Sequence, residues 1–298
     1  MKKKTFVQIG LITLFCLGVY YTLRSLPDTR CEFLHYEATE VTENGIEFCE
    51  TSPASFLDLE SLVFPIDMKL AFDVEPQVGQ ESEGTLVLNT QGGSPILPHE
   101  LAITHTERLH LLVVDPSLRD YHHIHPEGLG PTGEWVFTFT PRLPGVYKFY
   151  AEMVPVRTRR KAIATGQIRV PGISQNPEIA RSLESSVADY HFTLEVQPES
   201  PEVWQDNQMT LKVNKSGGGE VVLQEIMGAY AHMVAFDNQR SGFAHMHPTP
   251  TGKEQNAQPE LGFIFNTGKP GHYRIWAQVK LEDRVVFAPF DLEVEEET

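Results

Sequence analysis

Six histidines of this chain recur in one pattern at two places. Each set has one histidine followed, thirteen residues later, by a His-x-His motif: His110, His123 and His125, then His232, His245 and His247. Clustered imidazoles need a physical reason, because protonated rings repel one another and each neutral ring has two nitrogens to satisfy. A divalent metal ion removes both difficulties, since neutral imidazole is the commonest protein metal ligand. The spacing predicts one metal site in each set.

The first set lies on two strand-like segments, Leu109–Val114 and Tyr121–His125, joined by a turn-like loop. A hairpin centred in that loop places His110 opposite His125. His123 lies two residues from His125 and therefore points to the same side of the sheet. A register slip or a bulge would break this geometry.

The second set predicts the same arrangement independently. A turn at the corresponding place sets His232 opposite His247, with His245 beside it. The same face carries three apolar residues of the core type: Val234, Phe236 and Phe243. The histidines are therefore expected to point inward at the end of their own domain, against an apolar floor. His122 and Met246 should point to the opposite face.

These sets belong to an internal duplication, the feature to look for first in a sequence. Three segments reappear 122 residues further along the chain: Ile66–Pro76, Leu109–Val114 and Tyr121–Pro126. A fourth, Pro144–Tyr147, reappears after 126 residues, so the second copy has four extra residues. The matching segments keep their order, which predicts two repeats of one fold.

Each repeat consists of short strand-like runs separated by Gly, Pro, Asn and Asp clusters. Such runs over about 100 residues predict an immunoglobulin-like or cupredoxin-like β-sandwich. The chain is thus expected to be all-β, with two tandem sandwiches after an N-terminal transmembrane anchor. Helix is expected in the linker, from Asn176 to Val187. The expected boundaries are 1–27 for the anchor or signal sequence, 28–63 for a Cys-containing segment with a hairpin at Asn44-Gly45, 64–172 for the first repeat, 173–187 for the linker and 188–298 for the second repeat.

Further ligands are expected from residues that flank the histidines. Glu152 lies in a strand that can reach the first set, and its counterpart in the second repeat is Gln278. His105 and Met227 occupy equivalent positions, five residues before the first histidine of each set. Glu152, His105 and Met227 are therefore the additional candidate metal ligands.

Copper is the expected metal, with zinc as the alternative. A blue-copper centre needs a thiolate, and neither repeat contains a cysteine. Three imidazoles suit Cu(II) or Zn(II), and the affinity order favours copper where the metal pool is not controlled. Nearby methionines, Met227, Met233 and Met246, would suit Cu(I), although methionine is also ordinary core filler.

The N-terminus has the pattern of a signal-anchor. Met1-Lys2-Lys3-Lys4 precedes an apolar run from about Phe6 to Leu23, close to the roughly 20 residues that span a bilayer. No small-x-small cleavage site follows, so we expect an uncleaved inner-membrane anchor with a cytoplasmic N-terminus; a cleaved signal peptide is the alternative. Outside the cytoplasm Cys31 and Cys49 are expected to form a disulfide, with two free thiols as the alternative.

Composition limits the partners. The 298 residues are 41% hydrophobic and 21% charged, which is a globular composition. The net charge of −16 disfavours nucleic acid and anionic lipid, because both would be repelled. The expected partners are a metal ion, the inner membrane through the N-terminal helix, and an extracytoplasmic protein.

The segment Met227–Phe236, followed by Phe243–Pro248, resembles a domain of bacterial secreted and membrane-anchored proteins of the YtkA-like, cupredoxin-like kind. The segment from His105 to Glu127 is similar to a variant of that domain. The resemblance covers residues 64–296 and implies a β-sandwich, an extracytoplasmic setting and a link to heavy-metal or copper handling. His105-Thr106 stands where the second repeat has Met227-Gly228, which leaves open whether the two sites share a metal or an affinity.

Three functions compete at this point. The first is a non-enzymatic metal-binding protein that acts as a chaperone, buffer or sensor. The second is an adhesion or scaffold protein with structural histidines. The third is a cupin-type metalloenzyme, because His123-x-His125 with Glu127 partly matches the cupin motif. That motif places its glutamate further on, and the second repeat has Thr249 instead. No nucleophile with its base is evident, so a binding role is expected.

Overall fold

The computed structural model describes residues 2–24, 38–42, 45–49, 55–174 and 182–296. Helix α1, Lys2–Arg24, belongs to a compact unit that ends at Glu32; the rest of the chain, from Phe33, forms a second unit. Within the described ranges, no helix has the length and apolarity needed to cross a membrane. The role of residues 1–27 as an anchor or signal sequence stays a prediction.

The described residues of the segment before the repeats include three strands. Strand β1, Ala38–Thr42, pairs antiparallel with β2, Gly45–Cys49, and sets Thr42 opposite Gly45. This pairing fits the hairpin expected at this place, although Asn44 lies outside the described residues. Cys31 also lies outside them, so the expected disulfide with Cys49 stays a prediction. Strand β3, Leu57–Asp58, follows.

The first repeat is a sandwich of two antiparallel four-stranded sheets. One has the order β4-β5-β9-β8 and the other β11-β10-β6-β7. Leu86 and Leu88 of the first sheet pack with Leu111 and Val113 of the second in the core of this repeat. The strands are β4 Ile66–Phe72, β5 Ser82–Thr90, β6 His110–Val114, β7 Tyr121–Ile124, β8 Glu127–Leu129, β9 Glu134–Phe139, β10 Gly145–Met153 and β11 Ala162–Val170.

The second repeat has the same architecture. Its outer sheet has the order β12-β13-β14-β18, and its inner sheet the order β15-β19-β16-β17-β3, with β20 also paired to β19. The strands are β12 Glu184–Val187, β13 Tyr190–Gln197, β14 Asn207–Lys215, β15 Leu223–Gln224, β16 Ala231–Asp237, β17 Gly242–Met246, β18 Glu260–Phe265, β19 Gly271–Leu281 and β20 Arg284–Val294. The chain is all-β in its repeats, as expected.

The linker was expected to be helical, and this is wrong for its last residues. Residues 184–187 form strand β12, which pairs antiparallel with β13. Ser185 is buried there and Val187 packs against the core of the second repeat, so pairing and burial favour the extended backbone. Residues 175–181 lie outside the described residues.

A tyrosine in each repeat supports the immunoglobulin-like character of the fold. The hydroxyl group of Tyr147 lies 2.8 Å from the backbone oxygen of Leu143 and also contacts the carboxylate of Asp120. Tyr273, its equivalent, donates to the backbone oxygen of Lys269 at 2.6 Å. Both resemble the tyrosine corner of immunoglobulin-like sandwiches, where this bond ties a strand to the loop that precedes it.

The two sandwiches share an apolar interface. Strands β6 and β16 are buried along their whole lengths, because one face covers the core of their own repeat and the other faces the opposite repeat. Such double burial produces continuous apolar runs instead of alternation. The interface cluster contains residues of both repeats and of β3: Leu57, Leu112, Val114, Leu118, Tyr121, Tyr150, Ile163, Val234, Phe236, Phe243 and Trp276.

This interface corrects one expectation. Val234, Phe236 and Phe243 were assigned by type to the core of their own sandwich, and they lie between the repeats instead. The residues that alternate with them, such as Met233 and Met246, fill the core of the second repeat. The sequence pattern identified a buried face correctly, but it could not tell which neighbour covers that face.

Equivalent residues exchange partners across the interface. Tyr121 stacks on Trp276, with ring centroids 5.9 Å apart and an interplanar angle of 27°. Phe243, the equivalent of Tyr121, packs edge-on against Tyr150, the equivalent of Trp276, at 5.4 Å. The exchange indicates an approximate two-fold relation between the repeats.

Candidate metal centre

The predicted hairpin register is confirmed in both repeats. Leu111 pairs with Ile124 in the first repeat, and Met233 pairs with Met246 in the second. Just beyond these pairs, the ring centroids of His110 and His125 lie 5.1 Å apart and those of His232 and His247 lie 4.9 Å apart. Met246 lies on the face opposite to the histidines, as expected, but that face covers the core of its own repeat.

Each set of three histidines is a compact group in the folded chain. In the first group, the His110 ring centroid lies 5.3 Å from that of His123 and 5.1 Å from that of His125. In both groups, three ring nitrogens, one from each histidine, lie within 4.8 Å of one another. The sequence therefore predicted the members of each group and their proximity.

The two groups lie against each other, which the sequence did not indicate. The ring centroids of His123 and His245 are 5.1 Å apart, and those of His110 and His245 are 5.6 Å apart. The two groups are distinct, as expected, but they lie side by side where the repeats meet instead of apart at the ends of two sandwiches. We call the six rings the interface histidine cluster: His110, His123, His125, His232, His245 and His247.

His105 extends the cluster from the first repeat toward the second group. Its ring stacks on His247 with centroids 3.6 Å apart, and its centroid lies 5.7 Å from that of His232 but 6.2 Å from that of His110. His105 has a φ of 51°, and Met227 has a φ of 53° in the equivalent turn. Met227 is half-buried.

Backbone carbonyls orient the first histidine of each group. Nε2 of His110 lies 2.9 Å from the carbonyl oxygen of Thr104. Nε2 of His232 lies 3.0 Å from the carbonyl oxygen of the equivalent Ile226. A carbonyl only accepts, so each Nε2 carries the hydrogen, and the neutral ring presents an Nδ1 lone pair.

The first histidine of each His-x-His motif is oriented by the opposite repeat. Nδ1 of His123 lies 2.8 Å from Oε1 of Gln278, and Nδ1 of His245 lies 2.8 Å from Oε2 of Glu152. The other carboxylate oxygen of Glu152 lies 2.7 Å from Nζ of Lys161. Glu152, expected as a ligand of the first group, thus contacts a histidine of the second group and a buried lysine.

The resulting tautomers leave lone pairs inside the cluster. Nδ1 of His110 and Nε2 of His123 lie 3.1 Å apart, and neither carries a hydrogen when the other ring nitrogen donates. Three further ring nitrogens are buried without a hydrogen-bond partner among the described residues: Nε2 of His125, Nδ1 of His232 and Nε2 of His245. Buried lone pairs of this kind are costly unless a cation satisfies them.

The cluster is electrostatically suited to cations. Burial, followed by the nearby imidazoles, lowers the pKa of His123 and of His245 well below the ordinary histidine value. Burial likewise lowers the pKa of His110 and of His232, and it lowers the pKa of His125 to about 4. Neutral rings bind metal without first losing a proton, so metal and proton do not compete at neutral pH.

Sequence reasoning missed several residues that orient the cluster. Lys161, Thr104 and Ile226 are distant from the His-x-His motifs in sequence or act through backbone atoms. Gln278 was noted only as the counterpart of Glu152. The available signal was the continuous apolar run of β16, because a strand that is apolar on both faces has a second neighbour.

Comparison with known proteins identifies the family. Residues 66–169 and 185–296 match a family model described as Domain of unknown function (DUF8832). The chain belongs to this family. The two matches correspond to the two DUF8832 repeats described above. No curated protein matches the chain.

Several solved structures show partial similarity to this DUF8832 chain. The adhesin FdeC of Escherichia coli is 14% identical, over 76% of this chain and 64% of that one, with a TM-score of 0.25. A DUF4785 family protein of Legionella pneumophila is 8% identical, over 76% and 56%, with a TM-score of 0.25. A putative membrane anchored protein of Corynebacterium diphtheriae is 6% identical, over 78% and 59%, with a TM-score of 0.23. The chain spans less than two thirds of each of these structures.

Proposed function

We propose that this protein binds metal ions at the interface histidine cluster and acts as a chaperone, buffer or sensor. One observation carries the proposal: Nδ1 of His110 and Nε2 of His123 lie 3.1 Å apart, and the other nitrogen of each ring faces an oxygen acceptor. Two bare nitrogens repel at this distance unless a cation lies between or beside them. A metal ion held by His110, His123 and His125, and another by His232, His245 and His247, would satisfy the buried nitrogens of both groups.

Copper is the favoured metal and zinc the alternative. The donor set of each group is three neutral imidazoles, which suits Cu(II) and Zn(II). The affinity of nitrogen sites for divalent metals is highest for copper. Oxygen-preferring ions such as Mg²⁺ and Ca²⁺ would find no carboxylate in either group.

The proposed setting is outside the cytoplasm, with the N-terminal helix as an inner-membrane anchor. Three lysines before an apolar run support this orientation. The resemblance to YtkA-like, cupredoxin-like proteins points to the same setting. A partner that delivers or accepts the metal would complete the role of a chaperone, and a binding role requires no catalytic residues.

An adhesion or scaffold function is the second candidate. It is supported by the hydrogen bonds from His110 and His232 to loop carbonyls, since structural histidines commonly tie loops to strands. It gives no reason for the three buried nitrogens that lack a partner among the described residues. For this reason we favour metal binding.

Metal content tests the proposal. The purified full chain, loaded with Cu(II) or Zn(II) and desalted, should retain about two equivalents by elemental analysis. The double variant His245→Ala/His247→Ala should retain about one, and His99→Ala, at an exposed histidine, should retain two. A folded chain that takes up neither metal would exclude the proposal. A scaffold would instead keep its partner binding in the double variant.

A further inference from the structure

Glu152 and Gln278 occupy equivalent positions in the two repeats, and each contacts a histidine of the opposite repeat. Glu152 on β10 pairs with His110 on β6, and Gln278 on β19 pairs with His232 on β16. The side-chain hydrogen bonds of both residues go to a histidine of the opposite repeat and not to the histidine beside them in the sheet. Glu152 accepts a hydrogen bond from His245, and Gln278 accepts one from His123, both at 2.8 Å.

These hydrogen bonds decide which nitrogen each histidine offers. Donation from Nδ1 makes Nε2 the lone-pair nitrogen and fixes the rotation of the ring. Nε2 of His245 is buried and has no hydrogen-bond partner among the described residues. Nε2 of His123 lies beside Nδ1 of His110. In both cases the lone-pair nitrogen belongs to a histidine of one repeat, and the side chain that orients this histidine belongs to the other repeat.

We propose that each repeat positions a metal-binding histidine of the other: Glu152 acts on the second group through His245, and Gln278 acts on the first group through His123. This inference rests on the proposed function. Glu152 and Gln278 are positioning residues, because their contacts are with ligands and not with the metal. The two sites are therefore completed by the interface, and the repeats depend on each other for metal binding.

The two orienting side chains differ in charge. Glu152 is a carboxylate whose charge is balanced by Lys161 at 2.7 Å, with both side chains about 5% exposed. Gln278 is a neutral amide. A carboxylate acceptor makes a stronger, charge-assisted hydrogen bond and a more basic imidazole. The two orienting hydrogen bonds therefore differ in strength.

The test uses the full chain in two backgrounds that keep both exchanged hydrogen bonds. The variant His110→Ala/His125→Ala keeps only the second group intact and is called the second-group background. The variant His232→Ala/His247→Ala keeps only the first group intact and is called the first-group background. Affinity for Cu(II) ions is measured by competition with a chelator, and the Cu(II) paramagnetic resonance spectrum reports the coordination of the remaining group.

In the second-group background, Glu152→Ala should lower the affinity by about 10- to 100-fold and change the spectrum. Glu152→Gln keeps an acceptor and should recover most of the loss. In the first-group background, Glu152→Ala should change the affinity less than about threefold, since its target His245 is not a ligand there. Gln278→Ala should lower the affinity in the first-group background and change it little in the second-group background.

Gln278→Ala creates no unpaired charge, so it tests the inference even where Glu152→Ala fails to fold because Lys161 is left buried. Equal effects on both groups, or no effect on either, would overturn the exchange while leaving metal binding intact. If neither background binds Cu(II) before position 152 or 278 is changed, the proposed function fails and the inference falls with it.

Discussion

Glu152 of the first repeat and His245 of the second are joined by a hydrogen bond of 2.8 Å, although 93 residues separate them. Both side chains are buried, at 6% and 2% exposure. The contact is equivalent to the one between Gln278 and His123. The histidine cluster is thus a property of the interface between the repeats.

Removing an aromatic side chain from this interface should destabilise the protein. Phe243→Ala removes a fully buried ring that contacts Tyr150 and Phe236, and we expect a loss of about 3–5 kcal/mol in the free energy of unfolding. Denaturant titration measures the loss. Val74→Ala, at a side chain that is 73% exposed, is the control and should change stability by less than about 0.5 kcal/mol. Equal losses of unfolding free energy in Phe243→Ala and Val74→Ala would contradict the burial of Phe243 between the repeats.

Gly242 permits β3 to join the inner sheet of the second repeat. A Cβ atom at this position would lie 1.7 Å from the carbonyl oxygen of Leu57, so Gly242→Ala should separate β3 from β17. Hydrogen exchange should then show lost protection of the Leu59 amide, which donates to the Ser241 oxygen at 3.0 Å.

The control for this prediction is Gly217→Ala. A Cβ there would meet no atom within 4 Å, and protection of the Leu59 amide should be unchanged. Unaltered protection in Gly242→Ala would mean that β3 does not depend on the close approach at this glycine.

The metal-free protein should lose stability as the pH falls. Burial lowers the pKa of His125 to about 4 and lowers the pKa of the other cluster histidines that show a shift. At pH values above the ordinary histidine pKa of about 6.5, these histidines do not reduce the free energy of unfolding. Below it, each histidine that protonates only on unfolding reduces the unfolding free energy by about 1.4 kcal/mol per pH unit.

Denaturant titrations between pH 7 and pH 5, with chelator present, measure this decline. His125→Asn removes one titrating group and should make the decline shallower. His99→Asn changes an exposed histidine and should leave the slope as it is. A stability that is constant over this range would show that the rings are not held neutral in the folded state.

Much of the local structure follows from the sequence. The duplication, the sandwich fold and the hairpin register are all readable from spacing, because strand residues alternate with a period of two and a repeated segment folds the same way twice. This is why His110 and His125 could be predicted to face each other. The membership of both three-histidine groups follows from the same rule.

The sequence alone determined which residues share a face of each hairpin, and only the tertiary structure decided what that face meets. Val234 and Phe236 are apolar whether they cover their own core or another repeat, so their types cannot distinguish the two cases. The partners of His123 and His245 lie 155 and 93 residues away in sequence. Contacts of this kind depend on how two finished sheets pack, which no local pattern specifies.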